Sequence, residues 1–338
     1  MNRMLIVIAG ALVWTQVMVA QERAQETGKP ENRVTTDPEQ AKIVTSDIAR
    51  FWRQYDTAGQ TGLDAAMDDY LKNGSPGLQE FTTLRIHSST DLAAVIRKHP
   101  KYYTSIRPST LRIESMAGSI RESFRSLKRL YPDAVFPDVY FLIGCMNSGG
   151  TTTDRALLIG AEMYGRTPAS PMEEMDDWHK LVLKPVEEIP AIVAHELIHC
   201  QQKYPMGTQS LLTQSIKEGS ADFIGEMIAG KIINDHLRAY GDPRERELWL
   251  EFKQQMDGKD WSHWLYQGDK SKGRPADLGY YVGYKICESY YRQAADKAAA
   301  IKDILRIRDF KQFLRASQYE SRFNNAGRAH PAPTGIVL

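Results

Sequence analysis

The sequence predicts a predominantly helical α+β protein in which a small sheet lies against one chemistry-bearing helix. Three observations carry that expectation. Apolar residues recur at spacings of three and four through the first third of the chain, two short β-rich runs then flank a Gly, Ser and Thr loop, and helical lengths and caps fill most of the remaining chain. From Ser46 to Tyr55 the stripe is Ile48, Phe51, Trp52 and Tyr55 behind a Ser46 cap. A second helix, Leu63 to Leu71, stops at the turn signals Asn73-Gly74 and Pro76-Gly77. Leu78 to Arg85, Leu92 to Lys98 and Leu111 to Leu130, the last ended by Pro132, complete an N-terminal helical region over 43–135. Val139 to Gly144 and Ala156 to Gly160 are the β-rich runs, and CMNSGGTTTD between them reads as a loop. Further helices are expected over 185–204, 211–233, 276–294, 297–307 and 309–316, so that 136–320 forms the second region and 321–338 a loose tail. No internal repeat is present.

Of 338 residues, Lys plus Arg number 43 and Asp plus Glu 42, so no global field favours nucleic acid. Residues 1–20 read as a secretory signal peptide: Arg3 precedes the apolar run Met4 to Val19, and the small Ala20 precedes a polar stretch. The competing reading is an uncleaved anchor, since the run approaches the ~20 residues that span a bilayer. After signal removal no span is expected, and the protein is placed in the periplasm or outside the cell. Residues 21–42 are polar with two prolines and read as a flexible leader, with order starting near Ile43. Cys145, Cys200 and Cys287 are too few for a disulfide scaffold and allow at most one bridge.

The chemistry lies in His195-Glu196-Leu197-Ile198-His199, an HExxH motif on an expected helix. Histidines four apart project from one helical face and can share one Zn²⁺, while Glu196 can reach a water on it. On the next expected helix Glu218 can supply a third ligand, which leaves one position open as catalytic zinc requires. Asp222, four residues on, can accept a hydrogen bond from the distal ring nitrogen of His195 or His199. Cys200 should point away from the metal face, because a helix turns about 100° per residue.

HExxH followed by Glu218 and Asp222 resembles the gluzincin metallopeptidases, and Gln202 and Pro205 exclude the metzincin pattern. The segments YPDAVFPDVYFLIG, SGGTTTDRALLIGAEMYG, AHELIHCQQ, KEGSADFIGE and DLGYYVGYKICESYY resemble an uncharacterised bacterial family of predicted Zn-dependent proteases, related to gliding-motility lipoproteins. The lipobox of those lipoproteins is absent. The resemblance implies a thermolysin-like zincin domain with one zinc per chain, held by His195, His199 and Glu218, with Glu196 as base and a peptide or protein as substrate. It also implies a Tyr or His donor to the tetrahedral oxyanion. Tyr280, Tyr281 and Tyr284 are nearest in sequence, Tyr281 and Tyr284 share a face that can turn to the site, and Tyr281 is the residue chosen. Ala156 to Met163 is then the edge strand above the zinc, and Glu162 either an anchor for a substrate amine or a structural carboxylate. Trp249, Trp261, Trp264 and Tyr266 either line a cleft or pack in the core. The alternative function is a non-catalytic envelope binding or assembly protein that retains the fold, and a third is hydrolysis of a small amide or ester.

Overall fold

A computed structural model of the chain describes residues 34–207 and 209–324. The expected signal segment 1–20, residues 21–33 of the leader and 325–338 of the tail lie outside the described residues. Residues 34–42, read as leader from their polarity, are tied to the body. Thr35 exchanges two backbone hydrogen bonds with Phe136, and Arg121 donates to the carbonyls of Pro38 and Ala41. Main-chain pairing leaves no apolar signature, so composition does not announce it.

Strand β1 (Ile43–Val44) leads into seven helices: α1 (Ser46–Thr61), α2 (Leu63–Lys72), α3 (Pro76–Phe81), α4 (Ser89–Lys98), α5 (Pro100–Ser105), α6 (Arg107–Leu111) and α7 (Ala117–Leu130). Strands β2 (Asp138–Leu142), β3 (Gly150–Thr152) and β4 (Ala156–Gly160) come next. The chain then continues through α8 (Asp177–Val182), α9 (Ile189–Gln201), α10 (Leu211–Ala229), α11 (Asp235–Gly241), α12 (Glu245–Gln255), α13 (Leu278–Gln293), α14 (Lys297–Leu305) and α15 (Phe310–Ala316). The tail expected from 321 begins with a short helical turn, Ser321–Asn324. The architecture is thus mostly helical with one small sheet, the α+β class expected.

Local chemistry sets several boundaries. Ser75, Ser88 and Ser210 cap α3, α4 and α10 by accepting a hydrogen bond from the third residue on. The helix expected over 211–233 ends earlier, at Ala229, where Gly230 takes a left-handed conformation with φ 68° and closes the last turn. The helix expected over 111–130 is interrupted by a 3₁₀ stretch, Arg112–Met116. The one over 78–85 passes into a π-helical turn, Thr82–Ile86, that ends at His87 with φ 71°.

The sheet order is β1-β2-β4-β3, with β1, β2 and β4 parallel and β3 antiparallel to β4. Two expectations change here. The GGTTT segment read as loop contains a strand, and β4, expected at the edge, lies between β2 and β3. Register then assigns the faces. Tyr140, Leu158 and Thr151 are paired neighbours and share one face, while Leu157, Ile159, Gly150 and Thr152 share the other. Helix α3 covers the first face, where Gly77 sits over the Tyr140 ring, and α9 packs on the second. Every residue of β2 and β4 is buried, as strands covered on both faces should be. Helix α10 lies across α9 on one side and α13 on the other. The buried side chains form one hydrophobic core that includes both the N-terminal helices and α9 to α15. Among the described residues no helix is long and apolar enough to cross a membrane, and Cys145, Cys200 and Cys287 are free thiols.

Candidate functional site

Helix α9 presents His195 and His199 one turn apart, and α10 crosses it so that Glu218 faces both rings. The two histidine Nε2 atoms are 3.1 Å apart, and Glu218 Oε2 lies 3.6 Å from that of His195 and 3.3 Å from that of His199. Four-coordinate zinc with bonds of ~2.0 to 2.1 Å in tetrahedral array sets its ligand atoms about 3.3 to 3.4 Å apart. The donor triangle therefore has the size and chemistry to hold a small divalent cation. Among the described residues it is the one grouping of three His, Cys, Asp or Glu side chains so disposed.

Each histidine is fixed through its other nitrogen. His195 Nδ1 is 2.7 Å from Asp222 Oδ1, and the second oxygen of Asp222 accepts from Asn234 Nδ2 at 2.8 Å. His199 Nδ1 is 2.9 Å from Gln202 Oε1, while the Gln202 amide group donates to the Lys217 carbonyl and to Ser220 Oγ. Because both amide donations are taken up elsewhere, Gln202 offers His199 its oxygen and so favours the tautomer with Nε2 bare toward the triangle. Asp222 is expected beside a histidine from its place on the second helix, whereas Gln202, three residues after His199, enters the sequence reading only against the metzincin pattern. Helix α9 stops at Gln201, and the extended conformation of Gln202 takes its side chain off the helical pattern. Asp222→Ala is expected to weaken the hold of the triangle on a divalent cation such as Zn²⁺ by roughly 10 to 100-fold with the fold intact, since the partner that orients His195 is lost. Competition against a chelator beside a circular-dichroism melt measures both, and unchanged affinity would remove Asp222 from the site.

Burial would raise the Glu218 carboxyl and lower the His195 imidazole, but their neighbours outweigh it. The facing His199 and His195 hold Glu218 well below the usual carboxylate range, and Asp222 with Glu218 pushes His195 well above the usual imidazole range. The pocket is built to hold positive charge, and protons compete there with any metal.

Glu196 stands beside the triangle, oriented by the sheet. Thr152 Oγ1 donates to Glu196 Oε2 at 2.6 Å, and a Cβ built on Gly150 would come 2.6 Å from Glu196 Oε1. A side chain at position 150 would push the Glu196 carboxylate out of this place. The sheet edge beside Glu196 is therefore β3, in place of the expected 156–163, whose last residues form a 3₁₀ turn. Cys200 turns to the Glu196 carbonyl of its own helix, at 3.8 Å.

The tyrosines of α13 divide differently from expectation. Tyr281, chosen as the donor, is buried and gives its hydroxyl to Asp242 at 3.0 Å, which turns it away from the cluster. Tyr284 donates to Glu226 at 2.6 Å. Tyr280 is the tyrosine whose ring lies against His195, with centroids 6.2 Å apart and planes within 19°. Trp249 and Trp264 are core residues. Tyr266, by contrast, is 54% exposed and donates to Glu218 Oε1 at 2.7 Å. Glu162 is fully buried, and its carboxylate accepts from the backbone N–H groups of Gly144 and Met146. Burial pushes its pKa up to about 7 against those donors. The carboxylate braces the turn after β2, and both its oxygens are engaged, so it offers no anchor for a substrate amine.

The family model described as gliding motility protein GldB matches residues 31–321. No curated protein and no solved structure matches the chain. The match takes in the N-terminal helices, the sheet and the His195, His199 and Glu218 cluster together, and it shows the gliding-motility side of the resemblance. On that coverage, the chain belongs to the gliding motility protein GldB family.

Proposed function

We propose that this protein is an exported, zinc-dependent metallopeptidase of the cell envelope, built on a zincin-like helix pair and sheet, with every residue of its reaction centre within 136–320. One observation carries the reading: three ligand atoms 3.1 to 3.6 Å apart, with the acidic Glu196 one residue from the first of them and aimed by Thr152. A zinc ion held by His195, His199 and Glu218 supplies Lewis acidity, which acidifies water and polarises a carbonyl. Glu196 takes the proton of the attacking water and returns it to the leaving amine. We assign the donor to developing negative charge to Tyr280, the α13 tyrosine whose ring lies beside His195. The outer edge of β3 offers main-chain groups to an extended peptide. Export is supported by the apolar residues 1–20 and by membership of a gliding-motility family, which fits an envelope protein.

The same membership favours a second reading, a non-catalytic envelope module that keeps the metal for structure, because the family description names motility and no hydrolysis. Elemental analysis of protein from residue 21 onward, beside a mixed peptide library, separates the two. The peptidase reading expects one zinc per chain and cleavage that a chelator abolishes and zinc restores. Zinc without cleavage moves the function to the binding module, and absence of zinc overturns both metal readings.

A further inference from the structure

We propose that Tyr266 is a positioning residue of the metal centre: its hydroxyl engages one oxygen of Glu218 so that the carboxylate presents a single ligand atom. The inference rests on the zinc reading and deepens it. Glu218 Oε2 is the oxygen that faces Nε2 of both histidines, at 3.6 and 3.3 Å, whereas Oε1 accepts from Tyr266 at 2.7 Å. A carboxylate with both oxygens free can turn to grip a metal through the pair, and the second oxygen then crowds the position that water or a substrate carbonyl needs. Engaging Oε1 prevents that turn and fixes the angle at which Oε2 meets the histidines.

The backbone shows that this hydroxyl is held in place by its surroundings. Tyr266 has φ 55°, in the left-handed region that disfavours a bulky non-glycine residue, and the residue is 54% exposed. Neither local preference nor apolar burial explains a tyrosine there. The chain on both sides imposes the conformation. Trp264 and Leu265 are buried, the N–H of Gly279 donates to the Trp264 carbonyl at 2.8 Å, and Gln267 and Asp277 exchange backbone-to-side-chain hydrogen bonds of 3.1 and 3.0 Å. A strained residue maintained by its surroundings points to a task. Among the described residues, the hydrogen bond to Glu218 is the one polar contact the Tyr266 side chain makes.

Tyr266→Phe keeps the ring and the backbone conformation and removes only the hydroxyl. Zinc affinity, read by chelator competition, is expected to fall roughly 10 to 100-fold. The visible absorption of the Co²⁺-substituted protein should weaken as the released carboxylate raises the coordination number, while the metal-free variant melts with the wild type. Wild-type affinity and an unchanged Co²⁺ spectrum in Tyr266→Phe would overturn this inference alone. A metal-free variant whose melting temperature drops in step with affinity would make Tyr266 a structural residue and overturn it as well. A wild type that takes up neither ion overturns the zinc reading and this inference with it.

Discussion

Glu196→Gln is expected to abolish peptide hydrolysis, by roughly 10² to 10⁴-fold or more, while zinc stoichiometry and melting temperature stay at wild-type values. The substitution is close to isosteric. Thr152 Oγ1 donates to Glu196 Oε2 at 2.6 Å, and the glutamine oxygen can accept the same hydrogen bond, so the side chain keeps its place. What is lost is basicity, because an amide does not take a proton from water near neutral pH. None of the three ligand atoms belongs to Glu196, so metal retention should not change. Single-turnover hydrolysis of a peptide that the wild type cleaves gives the rate, and elemental analysis of the same sample gives the metal. Equal rates in variant and wild type would remove Glu196 as the base, and a coincident loss of zinc would assign it to holding the metal.

The parts of this site that sequence reveals are those that helical periodicity brings together. His195 and His199 share a face by spacing alone, as do Glu218 and Asp222, and hydrogen bonding in the structure places the second pair against the first. The supporting contacts have no such local cause. Thr152 reaches Glu196 across 44 residues and Tyr266 reaches Glu218 across 48. Strand β3 is three residues of glycine and threonine, with no apolar alternation to announce it, and it forms because β4 offers it a main-chain partner. Glu162 is charged in sequence yet buried in the fold, because backbone N–H groups supply what water would. The tyrosine of α13 that meets His195 depends on how that helix is rotated about its axis. Spacing shows that Tyr281 and Tyr284 share a face but not which face turns to the site. The rotation is set by glycine contacts with α10, and these put Tyr280 toward His195 and Tyr281 toward Asp242.

Those contacts make Gly283→Ala the substitution expected to damage the fold most. A Cβ at residue 283 would come 1.7 Å from the Ser215 carbonyl oxygen and 2.4 Å from its carbon. The approach is reciprocal, since a Cβ on Gly219 would lie 2.1 Å from the backbone nitrogen of Tyr284. The obstacle in each direction is main chain, which has no rotamer to yield, so α10 and α13 must move apart. Overpacking of a core costs about 1 to 3 kcal/mol and sometimes more, and contact with backbone places this case at or above the top of that range. At roughly 2 to 4 °C per kcal/mol for a large domain, a fall in melting temperature of about 6 to 12 °C is expected. Separation of the helices should also shift α10 against α9 and weaken zinc binding, because Glu218 is the residue beside Gly219. Gly59→Ala supplies the opposite sign. Gly59 is an exposed position within α1 where an added Cβ meets nothing within 4 Å, so alanine there should stabilise by about 0.5 to 1 kcal/mol. A Gly283→Ala protein that melts with the wild type would show that α10 and α13 do not meet through their backbones, and would remove the basis for the rotation that places Tyr280 at His195.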